Sequence, residues 1–507
     1  MRLKPNLFST ISSAKLVLFS SALLVLAGCG GSDDSDNVGY VKFYNSSQNA
    51  PDIILTLDQD LESDDDDDAD NYEVSFNGVA YTEALSKFEI DTNSYFYEMA
   101  WQDEDSSDRD DLEIVAQGQI TVTTEAIQLL VLTDDITSPQ VESYSIEVLD
   151  DDEDDEEDLF NLRVLNLHPE SVGVDFYMSG SDESFNEAIL VGQYNYKQLS
   201  DNQKFDQDEY IFYITKSGTQ EVLFTSDEID YAYAAQYVMI VRENTGSGVS
   251  PYALDRMSNS SITEHLDTDS EAQFRAYNAI KAHELIPNYT GSLDIYINGV
   301  DDEAEITALA QGNFSSTIVQ NKGDYSLDLL IPGSSERLLS NHLLSLAENS
   351  NKTVFFYLNE ENVDHDGDGD VDEDGDGIVD EIEVTINSLV VANSTRESIY
   401  DHKITMIDLV DSDDFNLVKF YFVRSNETIE TALYNRSAVY TQPESIYLQN
   451  NTYQVFAIAE VDSSEIILSS FQLILDAESD ELFLIAETDI NAPTGYRIEM
   501  IKQTDDE

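Results

Sequence analysis

Apolar residues in this chain alternate with polar ones far more often than they recur at helical spacing. Leu293, Ile295 and Ile297 alternate with Asp294 and Tyr296, then meet Asn298-Gly299, the strongest short-range signal for a hairpin. Continuous apolar runs at Gln236–Val241, Val354–Leu358 and Leu482–Ile485 read as buried strands of further hairpins. The stretch 335–347, with Leu338, Leu339, Leu343, Leu344 and Leu346, fits either a short helix or two strands, and periodicity does not separate them. The expected class is therefore all-β.

Two landmarks recur in step. The first is a short strand-like run ending in a polar turn: Val41-Lys42-Phe43-Tyr44-Asn45, Leu162-Arg163-Val164-Leu165-Asn166 and Phe274-Arg275-Ala276-Tyr277-Asn278. Val418-Lys419-Phe420-Tyr421-Phe422 reads as a looser fourth copy, 144 residues after the third and without the asparagine. The second is a turn residue leading into a tyrosine, at Tyr95, Tyr210, Tyr325 and Tyr453. Such self-similarity predicts four diverged copies of one unit. Copies of about 100 residues built from many short strands predict tandem immunoglobulin-like β-sandwiches. The Cys-Trp-Cys signature is absent, and the single Trp101 lies in the first copy.

The start of the chain changes the picture from fold to address. Arg2, Lys4 and Lys15 precede an apolar run, 16–28, that closes on Leu26-Ala27-Gly28-Cys29. A positive start and a short apolar core ending in small residues is a secretory signal. The run falls below the roughly 20 residues that span a bilayer as a helix. Its last four residues resemble the lipobox of bacterial lipoproteins, in which the cysteine becomes the lipidated first residue of the mature chain. That resemblance implies lipidation at Cys29. Because Gly30 stands where the lipoproteins it resembles carry an aspartate for inner-membrane retention, the resemblance also implies the outer membrane, on either its periplasmic or its cell-surface side.

Cys29 is the sole cysteine, so disulfides, zinc-thiolate sites and iron-sulfur clusters are excluded. The formal charge is −79 and becomes −82 once the signal and its three basic groups are gone. Such a field repels nucleic acid and anionic head groups and attracts cations or basic partners. With 28 tyrosines, 22 phenylalanines and 41% hydrophobic residues, the acidity is not that of a disordered chain. The charge belongs in loops and linkers, such as the nine acids of 150–158.

The expected layout is a signal peptide at 1–28, a tether at 29–37 and a first sandwich at 38–149. An acidic linker at 150–158 leads to a second sandwich at 159–265. A third at 271–410 carries an insertion at 364–383, and a fourth occupies 415–503. The segments 258–270 and 411–414 read as separators, giving a string of beads. Through Asn45, Asn166, Asn278, the Asp294–Gly299 strand and the turn-tyrosine landmark, this layout resembles bacterial surface lipoproteins whose tandem β-sandwich repeats are known only as a domain of unknown function. The resemblance implies a sandwich fold and a surface address, and no catalytic residues.

One stretch carries defined chemistry. From Asp372 the chain fits a twelve-position calcium loop: Asp372, Asp374 and Asp376 at positions 1, 3 and 5, Gly377 at 6, and Glu383 at 12. Ile378 supplies a backbone carbonyl, and Asp380 a direct or water-mediated ligand. Gly377 permits the turn that lets hard oxygens converge on Ca2+. An overlapping, weaker loop is formed by Asp364, Asp366, Asp368 and Asp370, with Gly375 where the bidentate acid belongs. The tandem resembles thrombospondin type three repeats, and the second loop an EF-hand loop, but no helical pattern flanks it. A calcium-clipped insertion in a hairpin of the third copy is expected. A merely solvated acid run does not explain aspartates alternating with fixed glycines; the tracts 64–68 and 150–158, which lack that pattern, are read as solvated.

No HExxH, GxSxG, Walker or GxGxxG pattern is present. His365 falls at a non-ligand position of the weaker calcium loop, and His168, His265, His283, His342 and His402 lie among polar residues near strand ends; all six are expected at the surface. The sequence therefore predicts a non-enzymatic envelope lipoprotein: an outer-membrane spacer, adhesin or assembly protein stabilised by calcium, with a protein or polysaccharide partner. A carbohydrate- or polymer-binding module is the alternative, and would need a contiguous exposed aromatic patch. A hydrolase, ranked last, would need a cleft of convergent acids with shifted pKa.

Overall fold

The computed structural model describes residues 37–59, 73–102, 112–149, 159–169, 173–300, 303–364, 371–372, 379, 381–412 and 414–504. The expected signal peptide, Cys29 and the acidic linker 150–158 lie outside them. In the first unit the strands are β1 (Val38–Asn45), β2 (Ile53–Asp58), β3 (Glu73–Val79), β4 (Phe88–Asp91), β5 (Ser94–Trp101), β6 (Glu113–Thr121), β7 (Ala126–Thr133) and β8 (Gln140–Glu147). They form two sheets, ordered β4-β1-β7-β8 and β3-β2-β5-β6. The same order recurs in the third and fourth units, and in the second with its fourth and sixth strands each broken in two. The architecture is thus a series of β-sandwiches, as expected. In each unit the opening strand lies inside its sheet and runs parallel to the seventh strand.

The tyrosine landmark marks a corner. Tyr95, Tyr210, Tyr325 and Tyr453 donate their hydroxyls to the carbonyls of Asp91, Asp206, Asn321 and Gln449, each four residues upstream, at 2.6–2.9 Å. Such a bond lets an aromatic ring pack while its polar end is satisfied where the chain crosses between sheets. These tyrosines hold corners rather than offering platforms.

The asparagine landmark is a latch. The Oδ1 atoms of Asn45, Asn166 and Asn278 accept from the N–H two residues on, at 3.0–3.1 Å. Their Nδ2 groups donate to the carbonyls of Val79, Tyr194 and Leu309 at 2.8–3.0 Å. An amide supplies both the acceptor and the donor that this buried strand end needs.

The latch also corrects the register of the fourth copy. Its opening strand is Asp401–Asp408, which pairs with Glu444–Gln449 and Leu482–Thr488. Val418–Phe422 belongs to the second strand, Leu417–Val423. The segment 411–414 is thus the connection between those two strands and not a boundary, and the fourth unit begins near 401 rather than 415. Asp408 stands at the latch, 130 residues after Asn278. The misreading has a plain cause: the true opening strand, DHKITMID, has no aromatic residue and carries aspartate in place of asparagine.

Two smaller expectations also resolve. The stretch 335–347 is one strand, Arg337–Leu346, whose pairing shifts register twice opposite Leu327–Leu330; bulges broke the two-residue period. Within 258–270, Ile262–His265 adds a strand to the second unit, so that segment is not a simple linker.

The string of beads is overturned by packing. Val41, Phe43, Leu130 and Leu132 point into the first unit's own core. Tyr44, Ile127, Leu129 and Val131 point the other way, onto Leu165, Val238, Ile240 and Met257 of the second unit. The same arrangement joins the third and fourth units through Tyr277, Phe355, Ile407, Phe483 and Ile485. The inner sheets are therefore covered on both faces, and β7 is buried at all eight positions. The continuous apolar runs in the sequence follow from this double burial.

Candidate functional site

The strands on either side of the insertion expected to hold calcium form a hairpin in the third unit. Asn351–Asn362 and Ile382–Ala392 pair antiparallel to the end, with Asn362 opposite Ile382. Beyond that pair Val363 N–H donates to Glu381 O at 3.0 Å, and Glu381 N–H donates to Val371 O at 3.2 Å. The second bond joins the residue before Asp372 to Glu381, the tenth position counted from Asp372. Asp364, Asp372 and Glu383 are described; Asp366, Asp368, Asp370, Asp374, Asp376, Ile378 and Asp380 lie outside the described residues. Glu383 stands directly across from Glu361. Like charges so placed repel, and a cation at the tip would offset the repulsion.

Among the described residues no three acidic, histidine or cysteine side chains converge as a metal cage. The histidines depart from the expected surface setting. His168 and His402 are buried, the latter with Nε2 2.8 Å from Asn450 Oδ1. Burial pulls His265 down to about 4, so it is neutral at pH 7. His342 lies 2.9 Å from Ser388 Oγ, and His283 stands 3.8 Å from Glu360. His365 lies outside the described residues.

Among the described residues seven acids that the sequence did not single out are held high by burial: Asp408, pushed up to about 7, Glu481, pushed up to about 8, and Asp52, Glu98, Asp255, Glu397 and Glu487. Of these, Glu397 and Glu481 line one cavity, and the others lie apart from it. Glu481 lines a cavity of about 650 Å3, Glu487 a separate space of about 20 Å3, and Asp408 is enclosed at its latch. Aromatic side chains exposed by more than a third are Phe96, Tyr233 and Tyr447 among the described residues, in three different units. Trp101 is stacked on Tyr400 at 5.1 Å, where the segment connecting the third and fourth units reaches the first.

One polar cluster ties the first unit to the second. Tyr44 donates to Asp255 Oδ2 at 2.7 Å, and Arg242 clasps both oxygens of the same carboxylate through Nε at 2.8 Å and Nη2 at 3.2 Å. Arg242 also reaches Glu264 and donates to Glu243 O at 2.9 Å. Burial alone would lower the guanidinium's pKa; the carboxylate of Asp255 outweighs it and holds the value up. Arg242→Met is expected to cost about 3–5 kcal/mol, because Asp255 is left charged and enclosed. Arg242→Met/Asp255→Leu should recover most of that loss in urea unfolding. Equal instability of the single and double variants would show that the pair contributes packing rather than charge compensation.

No family model matches the chain, and no curated protein matches it. Among solved structures, the Bacillus anthracis TIE protein aligns at 10% identity over 90% of this chain and 76% of that one, with a TM-score of 0.16. The major pilin subunit BcpA of Bacillus cereus aligns at 9% identity over 65% and 99%, with a TM-score of 0.13. A leucine-rich repeat protein from Bacteroides thetaiotaomicron VPI-5482 aligns at 10% identity over 43% and 26%, with a TM-score of 0.12.

Proposed function

We propose that this chain is a non-enzymatic, lipid-anchored protein of the bacterial outer membrane, acting as an adhesive or assembly scaffold, with one hairpin tip held by Ca2+. The observation that carries the reading is the coupling of units through doubly buried inner sheets. That coupling favours a scaffold that presents fixed surfaces over an extended spacer. The lipobox-like Leu26-Ala27-Gly28-Cys29 supports the anchor. The shifted acids are spread over several units, and only the pair Glu397 and Glu481 shares a cavity, which favours a non-catalytic role. The three exposed aromatics, set in separate units, give no support to the carbohydrate-binding alternative.

Two experiments test the reading. Cys29→Ser should abolish labelling by radioactive palmitate and release the protein from the membrane fraction; a variant that stays membrane-bound and labelled would refute the anchor. Thermal unfolding in calcium and in chelator, beside Asp372→Ala/Glu383→Ala, tests the ion. Calcium should raise one transition, in the concentration range of about 10⁻⁴ to 10⁻³ M common to extracellular modules. The double variant should abolish that rise. Coincident curves would leave the insertion a solvated loop.

A further inference from the structure

The segment 393–400 leaves the third unit, passes the first and enters the fourth. Beside it lies the cavity of about 650 Å3, to which the second unit contributes Thr245, the third Gln273 and Asn351, and the fourth residues 477–481. Its charged lining is Glu397, Glu478, Asp480 and Glu481 against Arg396 alone. Two of the nearby cations are already committed. Arg396 Nη2 bonds Asp401 at 2.6 Å, and Lys502 holds Asp480 at 2.8 Å.

Glu481 is left over. It is 5% exposed, and neither carboxylate oxygen has a hydrogen-bond partner. Arg396 Nη1 stands 3.8 Å away, beyond hydrogen-bond reach. An enclosed carboxylate without partners costs stability unless something compensates it, and here it lines a space of ligand size. A divalent metal is not the fitting occupant, because no three of the described acids converge. A narrow organic cation fits both the charge and the spacing.

We infer that this cavity binds an alkylammonium group, carried by a small diamine or by a lysine side chain, with Glu481 as its counter-ion. An ammonium supplies three donors to a carboxylate that has none, and its methylene chain occupies the space between the units. Binding there bridges the connecting segment and the fourth unit, so occupancy tightens the joint. This site is independent of calcium at the hairpin tip.

A proton distinguishes such binding from general attraction to an acidic protein. Burial raises Glu481 to about 8, against the pull of Arg396 and Lys403 and with the help of Asp401. At pH 7 the carboxyl is therefore mostly protonated, and a cation pairing with it displaces close to one proton. Diffuse counter-ion attraction displaces none.

The test is calorimetry on the full chain at pH 7, in phosphate and in Tris, with 1,5-diaminopentane and with acetyl-Gly-Lys-Gly-amide as probes. At least one should bind saturably, with proton release seen as a buffer-dependent heat. Glu481→Gln should weaken it by roughly tenfold or more without lowering the unfolding temperature. Binding of the diamine alone assigns a small-molecule amine; binding of the peptide assigns a protein side chain. The inference is overturned if neither probe binds, if Glu481→Gln binds equally well, or if no proton is released. Should Glu481→Gln fail to fold, Ala477→Trp, which fills the cavity from its exposed rim, makes the same discrimination.

Discussion

Asp408→Asn is expected to stabilise the protein at pH 8 and to change its stability little at pH 4. At the other three latches an amide donates to a carbonyl. Asp408 Oδ1 accepts from Val410 N–H at 2.9 Å, but Oδ2 has no partner, and the residue is 0% exposed. Burial pushes its carboxyl from 3.8 up to about 7. Between those values the folded chain binds a proton that the unfolded chain has lost. Stability therefore falls as the pH rises through this window and levels off above 7. The penalty at pH 8 is on the order of 4 kcal/mol. Asparagine removes the charge and restores the donor, so the gain should appear as pH rises from 4 to 8. Thermal unfolding of both proteins across that range measures it. Glu481 and Glu487 also titrate from raised positions, but they are common to both proteins and cancel in the difference. A gain independent of pH would mean that the lost donor, and not the buried charge, is what the fourth unit suffers.

Phe355→Asp should separate the third unit from the fourth while leaving each folded. Phe355 is 0% exposed and faces Phe483 at 5.5 Å, Tyr277 at 5.6 Å and Phe314 at 6.0 Å. Its strand neighbours Val354 and Phe356 point into the third unit's own core. A carboxylate at 355 therefore meets the small cluster between units and spares the larger one within. Truncating such a ring to alanine costs about 3–5 kcal/mol, and a charge in its place costs more. The expected result is loss of a shared unfolding transition and rapid protease cleavage within 393–400. If cleavage stays slow and the transition remains single, the units are held by contacts other than this cluster. The scaffold reading would then lose its main support.

These two positions differ in how they could be found. The strands, the turn-tyrosines and the latch asparagines were legible because each depends on a few adjacent residues whose chemistry is local. A tyrosine just past a turn reaches the carbonyl four residues upstream whatever lies elsewhere in the chain. The strands on either side of the calcium-loop pattern were legible for the same reason. Asp408 was not legible as a latch, because aspartate followed by a hydrophobic turn is an ordinary strand end until the three-dimensional alignment puts it beside Asn45, Asn166 and Asn278.

Phe355 marks a different limit. A run such as Val354–Leu358 announces a strand buried on both faces, since no alternation survives. It does not say what buries the second face, because that contact joins positions far apart in sequence and is settled by the shapes of two whole sheets. The sequence by itself determined the β class, the repeat and the chemistry of the turns, all of which rest on neighbouring residues. Only the tertiary structure decided that the units pair face to face, where the fourth begins, and that Glu481 is enclosed at a joint, because burial is a property of the assembled sheets.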